Sequence, residues 1–432
     1  MLAFRALAEP GASCILESVD AGGTLSRYSF IGLNYIAERC FASSPDMYAQ
    51  IRSFIDRYRP PSGLPEGGGA LLAFSYDAAR AEARLSTRSA DAPIAPDAFV
   101  AIPGTWLIFD HFTHTLTFWC CAENESHIDG RIDSCLERLL AARAGLPGEF
   151  RGREPLGESL DRTEYLNLVE LAQRAIRDGD VYQIQLGIRF EAAFEGEPLD
   201  CYRALRRRNP SPYMFFVDTQ FGALFGASPE FLVRLEGRRA RIRPLAGTRP
   251  RGVDRNDDAR IAAELLADEK ERAEHVMLVD LGRNDLGRVC EPGSVRVEEL
   301  LQIERYSHVM HIVSDCVGEM REEYDALDLF AAGFPAGTVT GTPKVRAMQL
   351  IDTWEPVTRG FYAGSIGRWG FDGNFDSCIT LRGMHATGGR VWWQASAGIV
   401  ADSNPESEYA EVLQKTRIAR EILGVDGILV GR

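Results

Sequence analysis

The sequence predicts an α+β protein whose sheets are antiparallel. Segments that read as strands follow one another in blocks, and the helical segments stand between those blocks rather than after every strand. The chain contains no regular strand–helix–strand alternation, no internal repeat and no low-complexity tract. Its 432 residues are 45% hydrophobic and 25% charged, an ordinary globular composition with enough apolar material for one large domain or several smaller ones.

A stretch rich in Gly, Pro, Arg and Glu, residues 144–159, predicts a linker. It would separate an N-terminal part, residues 1–150, from a larger C-terminal part, residues 160–425. A helix is expected just beyond it, because Asp161 and Glu164 have the spacing of a capping box. Apolar residues at helical intervals follow the box.

The remaining C-terminal elements follow from periodicity and turn residues. Gly179 suits the end of the first helix, and a turn is expected at residues 209–212. Alternating apolar segments predict strands at 181–190, 223–235, 239–244, 309–313, 360–369, 377–385 and 390–400. Helical spacing predicts helices at 257–281, 344–352 and 405–423, the last beginning with a proline that suits the first turn.

Charge and cysteine content exclude several classes of protein. A net charge of −14 without a basic stripe argues against a nucleic-acid binder. No apolar run approaches the roughly 20 residues of a membrane-spanning helix, and the first residues lack the apolar core of a signal peptide. The nine cysteines show no Cys-x-x-Cys spacing, which favours neither a zinc site nor a disulfide scaffold. We expect a reduced, cytoplasmic protein with no membrane and no nucleic-acid partner.

Two Glu-x-x-Glu pairs are the most informative local pattern. Glu271 and Glu274 share one face of a predicted helix, and so do Glu408, Glu411 and Lys415 near the C-terminus. Like charges at this spacing repel by a few tenths of a kcal/mol, and a hard cation such as Mg²⁺ relieves that repulsion. A solvated acidic face is the alternative for either pair taken alone. Finding the pattern twice favours the metal.

Two small-residue segments could approach an anion closely. Residues 396–403 read as a strand end that feeds the last helix, and they predict either backbone donors for an anion or a plain tight turn. Residues 337–344 are rich in Gly and Thr, but Pro343 breaks the Walker pattern and removes a backbone donor. They predict a turn that presents hydroxyl groups rather than a nucleotide site.

Two further side chains have the chemistry of proton transfer. Glu230 follows an apolar strand, where burial would raise the pKa of its carboxyl group and suit it to act as a general acid. His311 lies in an alternating segment that reads as a strand, and a lone histidine in such a setting is more often a hydrogen-bonded core residue than a catalyst. By itself, Glu230 also reads as a simple turn residue.

Together these segments resemble the chorismate-utilising enzymes, and among them most closely the anthranilate synthase component I family. The resemblance covers nearly the whole chain and is densest over about 161–424. Its motifs are Gly-Ala-Ser-Pro-Glu (226–230), Pro-Leu-Ala-Gly-Thr-Arg-Pro-Arg-Gly (244–252), Asp-Glu-Lys-Glu-Arg-Ala-Glu-His (268–275), Val-Met-His (309–311), Pro-Lys-Val-Arg-Ala-Met (343–348) and Ala-Gly-Ile-Val-Ala-Asp-Ser (397–403). The fold that it implies is two packed antiparallel β-sheets flanked by helices.

The resemblance also implies a role for each matching residue. The four glutamates would form a Mg²⁺ site for the ring carboxylate of chorismate, with Glu274 and Glu411 as direct ligands. Glu230 would be the acid for the departing C4 hydroxyl, while Thr338 and His311 would line the ring and His311 would serve pyruvate loss. The implied substrate-binding residues include Arg382, whose planar fork matches a carboxylate; in full they are Gln183, Ala246, Thr248, Tyr362, Arg382, Ala397, Gly398 and Lys415.

Two of these positions favour one activity within the family. Gln183 stands where isochorismate and salicylate synthases carry a water-activating lysine, and Ala246 stands where aminodeoxychorismate synthase carries a lysine nucleophile. Attack by ammonia needs neither. The implied reaction makes anthranilate and pyruvate from chorismate, with ammonia from a glutamine amidotransferase on another chain.

Alternatives remain open at this stage. Ser396 and the Gly187-Ile188 pair depart from the usual family residues, which leaves room for a specialised paralogue. Such an enzyme would stop at 2-amino-2-deoxyisochorismate or make 4-amino-4-deoxychorismate. A catalytically inactive protein that only binds tryptophan is the third alternative.

The N-terminal part resembles a tryptophan feedback site. The matching segments are 15–18, 27–30 and 209–214, and the expected regulatory residues are Leu16, Glu17, Ser18, Pro212, Tyr213 and Met214. Apolar Pro and Met walls beside polar Ser and Glu groups suit an indole ring and an amino group. The alternative is a packing junction between the two parts of the chain.

Overall fold

The computed structural model describes residues 1–19, 27–60, 67–83, 85, 95–121, 125–143, 148–306 and 309–425. The helices are α1 Leu2–Leu7, α2 Met47–Asp56, α3 Arg80–Ala83, α4 Glu125–Ala141, α5 Arg162–Arg177, α6 Pro198–Arg208, α7 Arg255–Ala267, α8 Glu269–Gly287, α9 Ala326–Gly333, α10 Lys344–Trp354 and α11 Pro405–Leu423. Short 3₁₀ turns lie at Tyr76–Ala79 and Gly337–Val339.

The strands of the described residues belong to one 19-stranded sheet. They are β1 Ser13–Glu17, β2 Tyr28–Phe41, β3 Ala70–Phe74, β4 Ala98–Asp110, β5 Thr115–Cys120, β6 Arg151–Glu158, β7 Gln183–Glu195, β8 Tyr213–Thr219, β9 Gly222–Ser228, β10 Phe231–Glu236, β11 Arg239–Ile242, β12 Leu245–Pro250, β13 Arg296–Arg305, β14 Val309–Glu319, β15 Gly341–Thr342, β16 Ser365–Trp369, β17 Phe375–Ile379, β18 Gly383–Thr387 and β19 Arg390–Ile399.

Hydrogen bonding runs through the sheet without interruption. The order of neighbouring strands is β6, β7, β19, β18, β9, β8, β1, β2, β4, β3, β16, β17, β10, β11 and β14. Strand β15 also pairs with β7, β5 with β4, and both β12 and β13 with β14. All of these pairings are antiparallel, as the sequence predicts.

The sheet folds over on itself to make two layers. Phe215 and Leu224 from one half pack with Phe99 and Ile366 from the other in a single buried cluster. The outer faces are covered by helices, with α5, α6, α10 and α11 packed on one half and α2, α8 and α9 on the other. The predicted two packed antiparallel layers flanked by helices are therefore confirmed. Because the strand pairing is continuous, the layers are halves of one sheet.

Several sequence predictions hold at the level of single elements. Asp161 and Glu164 form the capping box of α5, with the Asp161 side chain accepting from the Glu164 backbone N–H. The last helix has the predicted bounds, Pro405–Leu423. None of the helices in the described ranges is long and apolar enough to cross a membrane.

The predicted linker is wrong over residues 151–158. These residues form β6, which pairs with β7, while residues 144–147 lie outside the described part of the chain. Polar residues and Gly or Pro are what an exposed edge strand tolerates, so composition alone does not separate such a strand from a loop. Pairing with β7 is what makes these residues a strand.

Three long predicted elements are each broken, and each break lies beside a candidate site residue. The helix expected at 257–281 ends at Ala267, and Asp268 starts α8 by accepting from the Lys270 and Glu271 backbone N–H groups. The strand expected at 223–235 breaks between β9 and β10, at Pro229 and Glu230. Arg382, with a φ of +47°, separates β17 from β18 within the strand expected at 377–385. Similarly, the predicted strand at 360–369 begins only at Ser365.

Candidate active site

A cavity of about 910 Å³ collects most of the predicted site residues from distant parts of the chain. It lies where the first turns of α8 and α11 meet the ends of β12, β14 and β19. Its lining contains all four candidate glutamates and five of the predicted catalytic and substrate-binding residues: Thr248, Glu271, Glu274, His311, Arg382, Gly398, Glu408, Glu411 and Lys415. Both Glu-x-x-Glu pairs thus face one space.

The acidic side chains crowd one end of the cavity. Burial raises the pKa of the Glu274 carboxyl group, and the negative charges of Glu271 and Glu411 raise it further. Burial and Glu411 likewise raise the pKa of Glu408. Because both pairs lie in the first two turns of their helices, the helix dipoles partly offset this repulsion.

Each of three glutamates is held by a neighbouring side chain. The Gln183 amide donates to Glu274 Oε1 at 3.0 Å. Arg249 donates to Glu271 at 2.9 Å, and Lys415 lies 2.7 Å from Glu411. These contacts fix the carboxylates in place around the cavity.

The donor set suits Mg²⁺ bound by few protein ligands. Within the described ranges no three His, Cys, Asp or Glu side chains converge as a metal site. Mg²⁺ commonly takes only one or two carboxylates and completes its octahedron with waters and an anionic substrate. Mutually repelling carboxylate oxygens that line a large open cavity suit this mode of Mg²⁺ coordination.

A flat floor of the cavity comes from paired strands β7 and β19. Gly398 pairs with Gln185, and a Cβ at Gly398 would lie 2.9 Å from the amide nitrogens of both Gln183 and Gln185. A side chain at this position would have to push the two amide groups aside. The Tyr362 hydroxyl lies 2.7 Å from Ser396 Oγ, which donates to Gln185 Oε1 at 2.9 Å.

His311 is buried at the side of the cavity in a defined hydrogen-bonded position. Its Nδ1 lies 3.2 Å from the Gly247 carbonyl and 3.0 Å from Thr248 Oγ1. A carbonyl oxygen only accepts, so Nδ1 carries the proton and Nε2 keeps a free lone pair. Burial and the positive charge of Arg382 lower the pKa of His311 to about 4. The imidazole is therefore neutral at pH 7 and can act as a base.

Glu230 has the environment that the sequence predicts. It is buried in the turn between β9 and β10, and the Thr338 hydroxyl donates to its Oε1 at 3.2 Å. Desolvation raises the pKa of this carboxyl group to about 8, although the Thr338 hydrogen bond lowers it. Glu230 is consequently protonated at neutral pH and able to donate a proton.

Arg382 is an exposed cation in the lining of the cavity. Its surroundings lower the pKa of the guanidinium by desolvation, yet the side chain stays accessible through the cavity. No carboxylate in the described residues lies within ion-pair distance of it. An anionic ligand would supply the missing partner.

Some predicted residues do not reach the main cavity. Ala246 and Ala397 are buried directly beside the lining residues Gly247 and Gly398. Glu230 and Thr338 line a separate void of about 30 Å³, and Tyr362 lines another of about 50 Å³. Gln183 is not part of the lining, but its amide hydrogen-bonds the lining residue Glu274. Neither Glu230 nor Tyr362 therefore lines the main cavity.

Sequence reasoning missed several residues at this site. Gln185 follows Gln183 on the same strand face, which was a readable signal. Arg249 lies in the family motif at residues 244–252, but its pairing with Glu271 depends on the packing of α8 against β12. Tyr306 packs edge-on against His311 with ring centroids 5.6 Å apart, and no local pattern foretold this contact.

A second cavity, of about 580 Å³, contains every predicted regulatory residue. It is lined by Leu16, Glu17 and Ser18 at the end of β1 and by Pro212, Tyr213 and Met214 at the start of β8, two strands that pair with each other. The Glu17 carboxylate is already engaged, since it accepts from Tyr202 at 2.8 Å and from Arg206 at 2.8 and 3.1 Å. We name this space the effector cavity.

Comparison with known proteins agrees with this geometry. A family model described as chorismate binding enzyme matches residues 26–421. Anthranilate synthase component 1 of Acinetobacter calcoaceticus is 43% identical over 96% of this chain and 90% of its own, and that of Streptomyces coelicolor is 42% identical over 96% and 84%. The crystal structure of anthranilate synthase component I from Streptococcus pneumoniae aligns with a TM-score of 0.83 at 32% identity, over 94% of both chains.

The motifs, the fold, the cavity and these similarities converge on one conclusion. Close identity extends over nearly the full length of the chain and of its relatives, so it is not confined to a shared module. The chain belongs to the chorismate-binding enzyme family and, within it, to the anthranilate synthase component 1 group.

Proposed function

We propose that this protein is the large subunit of an anthranilate synthase. It converts chorismate and ammonia to anthranilate, pyruvate and water. The observation that carries the proposal is the cavity whose lining combines an acidic cluster, a neutral histidine and an arginine that has no ion pair with any described residue. Chorismate has two carboxylates. The acidic cluster would bind one of them through a metal ion, and Arg382 would bind the other directly.

We propose that Glu274 and Glu411 bind Mg²⁺ directly, with Glu271 and Glu408 beside them. Bound there, the ion supplies positive charge for the ring carboxylate of chorismate. Arg382 holds the enolpyruvyl carboxylate, assisted by Tyr362 and the backbone at Ala397 and Gly398. The crowding of carboxylates at the cavity end supports this arrangement.

Glu230 and His311 each serve one of the two half-reactions. Neutral ammonia attacks C2 while Glu230 gives its proton to the departing C4 hydroxyl, which leaves as water. His311 then removes the C2 proton, the C3–O bond breaks, and the enolpyruvyl group leaves to become pyruvate. The raised pKa of Glu230 and the lowered pKa of His311 support these opposite roles.

The absence of lysine at two positions supports ammonia as the nucleophile. Gln183 holds Glu274 and provides no base for water, and the Ala246 side chain provides no amine for covalent attack. We propose that a glutaminase subunit delivers the ammonia, in keeping with the name component 1 of the relatives. We also propose that the pair works in the reducing cytoplasm, where all nine free thiols stay reduced.

The catalytic proposal is tested by one assay with two readouts. Chorismate, Mg²⁺ and ammonium at high pH are expected to give anthranilate fluorescence and pyruvate in equal amounts. Aminated product without pyruvate would indicate an enzyme that stops at 2-amino-2-deoxyisochorismate. Release of 4-amino-4-deoxychorismate as the main product, or no consumption of chorismate, would overturn the proposal.

The metal assignment is tested with matched glutamate variants. Glu274→Gln and Glu411→Gln are expected to weaken Mg²⁺ binding at least about 10-fold by calorimetry and to abolish turnover. Glu406→Gln is the control, because Glu406 is exposed on the same helix and pairs with Arg162. Retention of normal Mg²⁺ binding by both site variants would remove the metal from these residues.

We further propose that L-tryptophan binds the effector cavity and inhibits the enzyme. All predicted regulatory residues line that cavity, which supports the assignment. Substitution of Ser18 or Met214 is expected to relieve inhibition with little loss of uninhibited activity. Calorimetry that detects no binding at millimolar tryptophan would contradict the regulatory role and leave the catalytic one standing.

A further inference from the structure

The effector cavity holds one arginine that pairs with no carboxylate in the described part of the chain. Three arginines line it: Arg27 pairs with Asp110 at 2.8 Å, and Arg234 pairs with Asp376 at 3.0 Å. Arg368 has no carboxylate within ion-pair distance in the described residues. Its only hydrogen bond there goes from Nη2 to the Gly68 carbonyl.

Two aromatic rings hold the Arg368 side chain in position. Its guanidinium lies 4.8 Å from the Phe30 ring centroid and 5.6 Å from that of Trp106. Among the described residues, the buried Nε atom has no hydrogen-bond partner. A partly buried cation that is stacked on rings and short of acceptors is suited to an anionic group of a ligand, because a charge-assisted hydrogen bond is strongest where water is excluded.

A matching carboxylate lies close by on the same hairpin. Asp372 also lines the cavity, and it accepts hydrogen bonds from Asn374 but pairs with no cation in the described residues. Arg368 and Asp372 are near each other without touching. A Cβ at Gly370 would collide with Asp372 Oδ1 and lie 3.4 Å from Arg368 Nη1, so the glycine keeps open the gap between the two charges.

We propose that Arg368 and Asp372 form the zwitterion-binding end of the effector cavity. Arg368 takes the carboxylate and Asp372 takes the ammonium group of an aromatic amino acid. The Glu17 carboxylate, by contrast, is already bound by Arg206 and Tyr202. This inference rests on the effector role proposed above, and it makes the cavity selective for a free amino acid over an indole lacking either charge.

Three ligands and three variants test the assignment. Calorimetry measures L-tryptophan, tryptamine, which lacks the carboxylate, and 3-indolepropionate, which lacks the amine. The variants are Arg368→Met, Asp372→Asn and, as a matched control, Arg27→Met, which removes a cavity arginine that already has a partner. Tryptophan is expected to bind the native protein more tightly than either analogue.

The two site variants are expected to lose affinity for different ligands. Arg368→Met should weaken tryptophan and 3-indolepropionate about 10–100-fold and leave tryptamine unchanged, as expected for loss of one buried charge-assisted bond. Asp372→Asn should weaken tryptophan and tryptamine by roughly 5–10-fold and leave 3-indolepropionate unchanged, because this carboxylate is more exposed. Arg27→Met should keep the native order of the three ligands.

Other outcomes overturn the assignment. Equal loss of all three ligands in Arg368→Met would mean that the side chain only supports the cavity wall. Native-like discrimination in both site variants would place the ligand charges elsewhere. If the native protein bound no tryptophan, the effector role would fail as well, whereas anthranilate formation in the same preparation would leave the catalytic proposal intact.

Discussion

At the scale of single residues, burial sets the protonation state of Glu230. Its folded-state pKa is about 8, well above the value of about 4.3 expected in an unfolded chain. Between these values the folded protein binds a proton that the unfolded chain releases. This carboxyl group therefore lowers stability progressively as pH rises through that window.

Glu230→Gln should remove that dependence together with catalysis. The amide still accepts the Thr338 hydrogen bond but cannot ionise or donate an acidic proton. The melting temperature of the variant relative to native protein should rise by roughly 2–4 °C from pH 5 to pH 8. Chorismate consumption should stop.

Infrared spectroscopy checks the protonation state without relying on activity. Native protein at pH 7 should show the band of a buried neutral carboxyl group, and this band should be lost at pH 9.5 and in Glu230→Gln. Thr340→Val serves as a control, since it changes a buried hydroxyl in the same loop without touching Glu230. A native spectrum without that band would assign the acid to another group.

His311 separates the two half-reactions. In the mechanism that we propose, amination uses the metal, Arg382 and Glu230, whereas pyruvate loss also uses a base for the C2 proton. His311→Met should still consume chorismate but slow the second step about 10²–10⁴-fold, so that 2-amino-2-deoxyisochorismate accumulates. Chromatography of the reaction measures this ratio. Anthranilate formed at the native ratio to chorismate consumed would make His311 a structural residue.

At the scale of elements, the register of β7 and β19 explains why a glycine at position 398 suits this site. Gly398 leaves room for the Gln183 and Gln185 amides, and Gln183 in turn holds Glu274. Gly398→Ala would push aside the ends of two flexible side chains rather than backbone. The fold should survive while Mg²⁺ binding weakens about 10-fold, the usual effect of disturbing a partner of a metal ligand.

Calorimetry and thermal melting measure these two effects separately. The control is Gly287→Ala at the end of α8, where the added methyl group meets nothing and helix propensity improves. Gly287→Ala should bind Mg²⁺ normally and melt at or slightly above the native temperature. Normal Mg²⁺ binding by Gly398→Ala would show that the amides do not orient the acidic cluster.

The element predictions succeeded or failed for identifiable reasons. The helix starting after Asp161 carries its own capping box, so local residues were enough to locate it. The break at Asp268 was missed because helical residues lie on both sides of it and only the cap interrupts them. The strand β6 was missed because its stability comes from β7 rather than from its own composition.

At the scale of the whole molecule, the two parts of the chain are joined by strand pairing. From the N-terminal part, β1 pairs with β8 and β3 pairs with β16, and buried residues of both parts share one cluster. The division into residues 1–150 and 160–425 stays a prediction about sequence organisation. Neither the effector cavity nor the inter-layer core is complete without strands from both parts.

A fragment of residues 160–425 is accordingly expected to misfold. Removal of the N-terminal strands would expose the edges of β8 and β16 and one wall of the inter-layer core, and such edges aggregate readily. Size-exclusion chromatography should show aggregates, and co-expression with residues 1–150 should restore a soluble complex. A monomeric fragment with native-like melting would show that the C-terminal part folds alone.

The sequence by itself determined the family and the fold class, and it predicted several of the residues that line the larger cavity. Those conclusions rest on motifs and on period-two or helical spacing, which are local properties of a few neighbouring residues. The tertiary structure alone decided that α8 and α11 bring both acidic pairs to one cavity, that Glu230 lines a separate small void, and that Arg368 has no carboxylate partner among the described residues. These facts depend on burial and on contacts between distant segments, because desolvation and charge pairing are set by neighbours in space rather than in sequence.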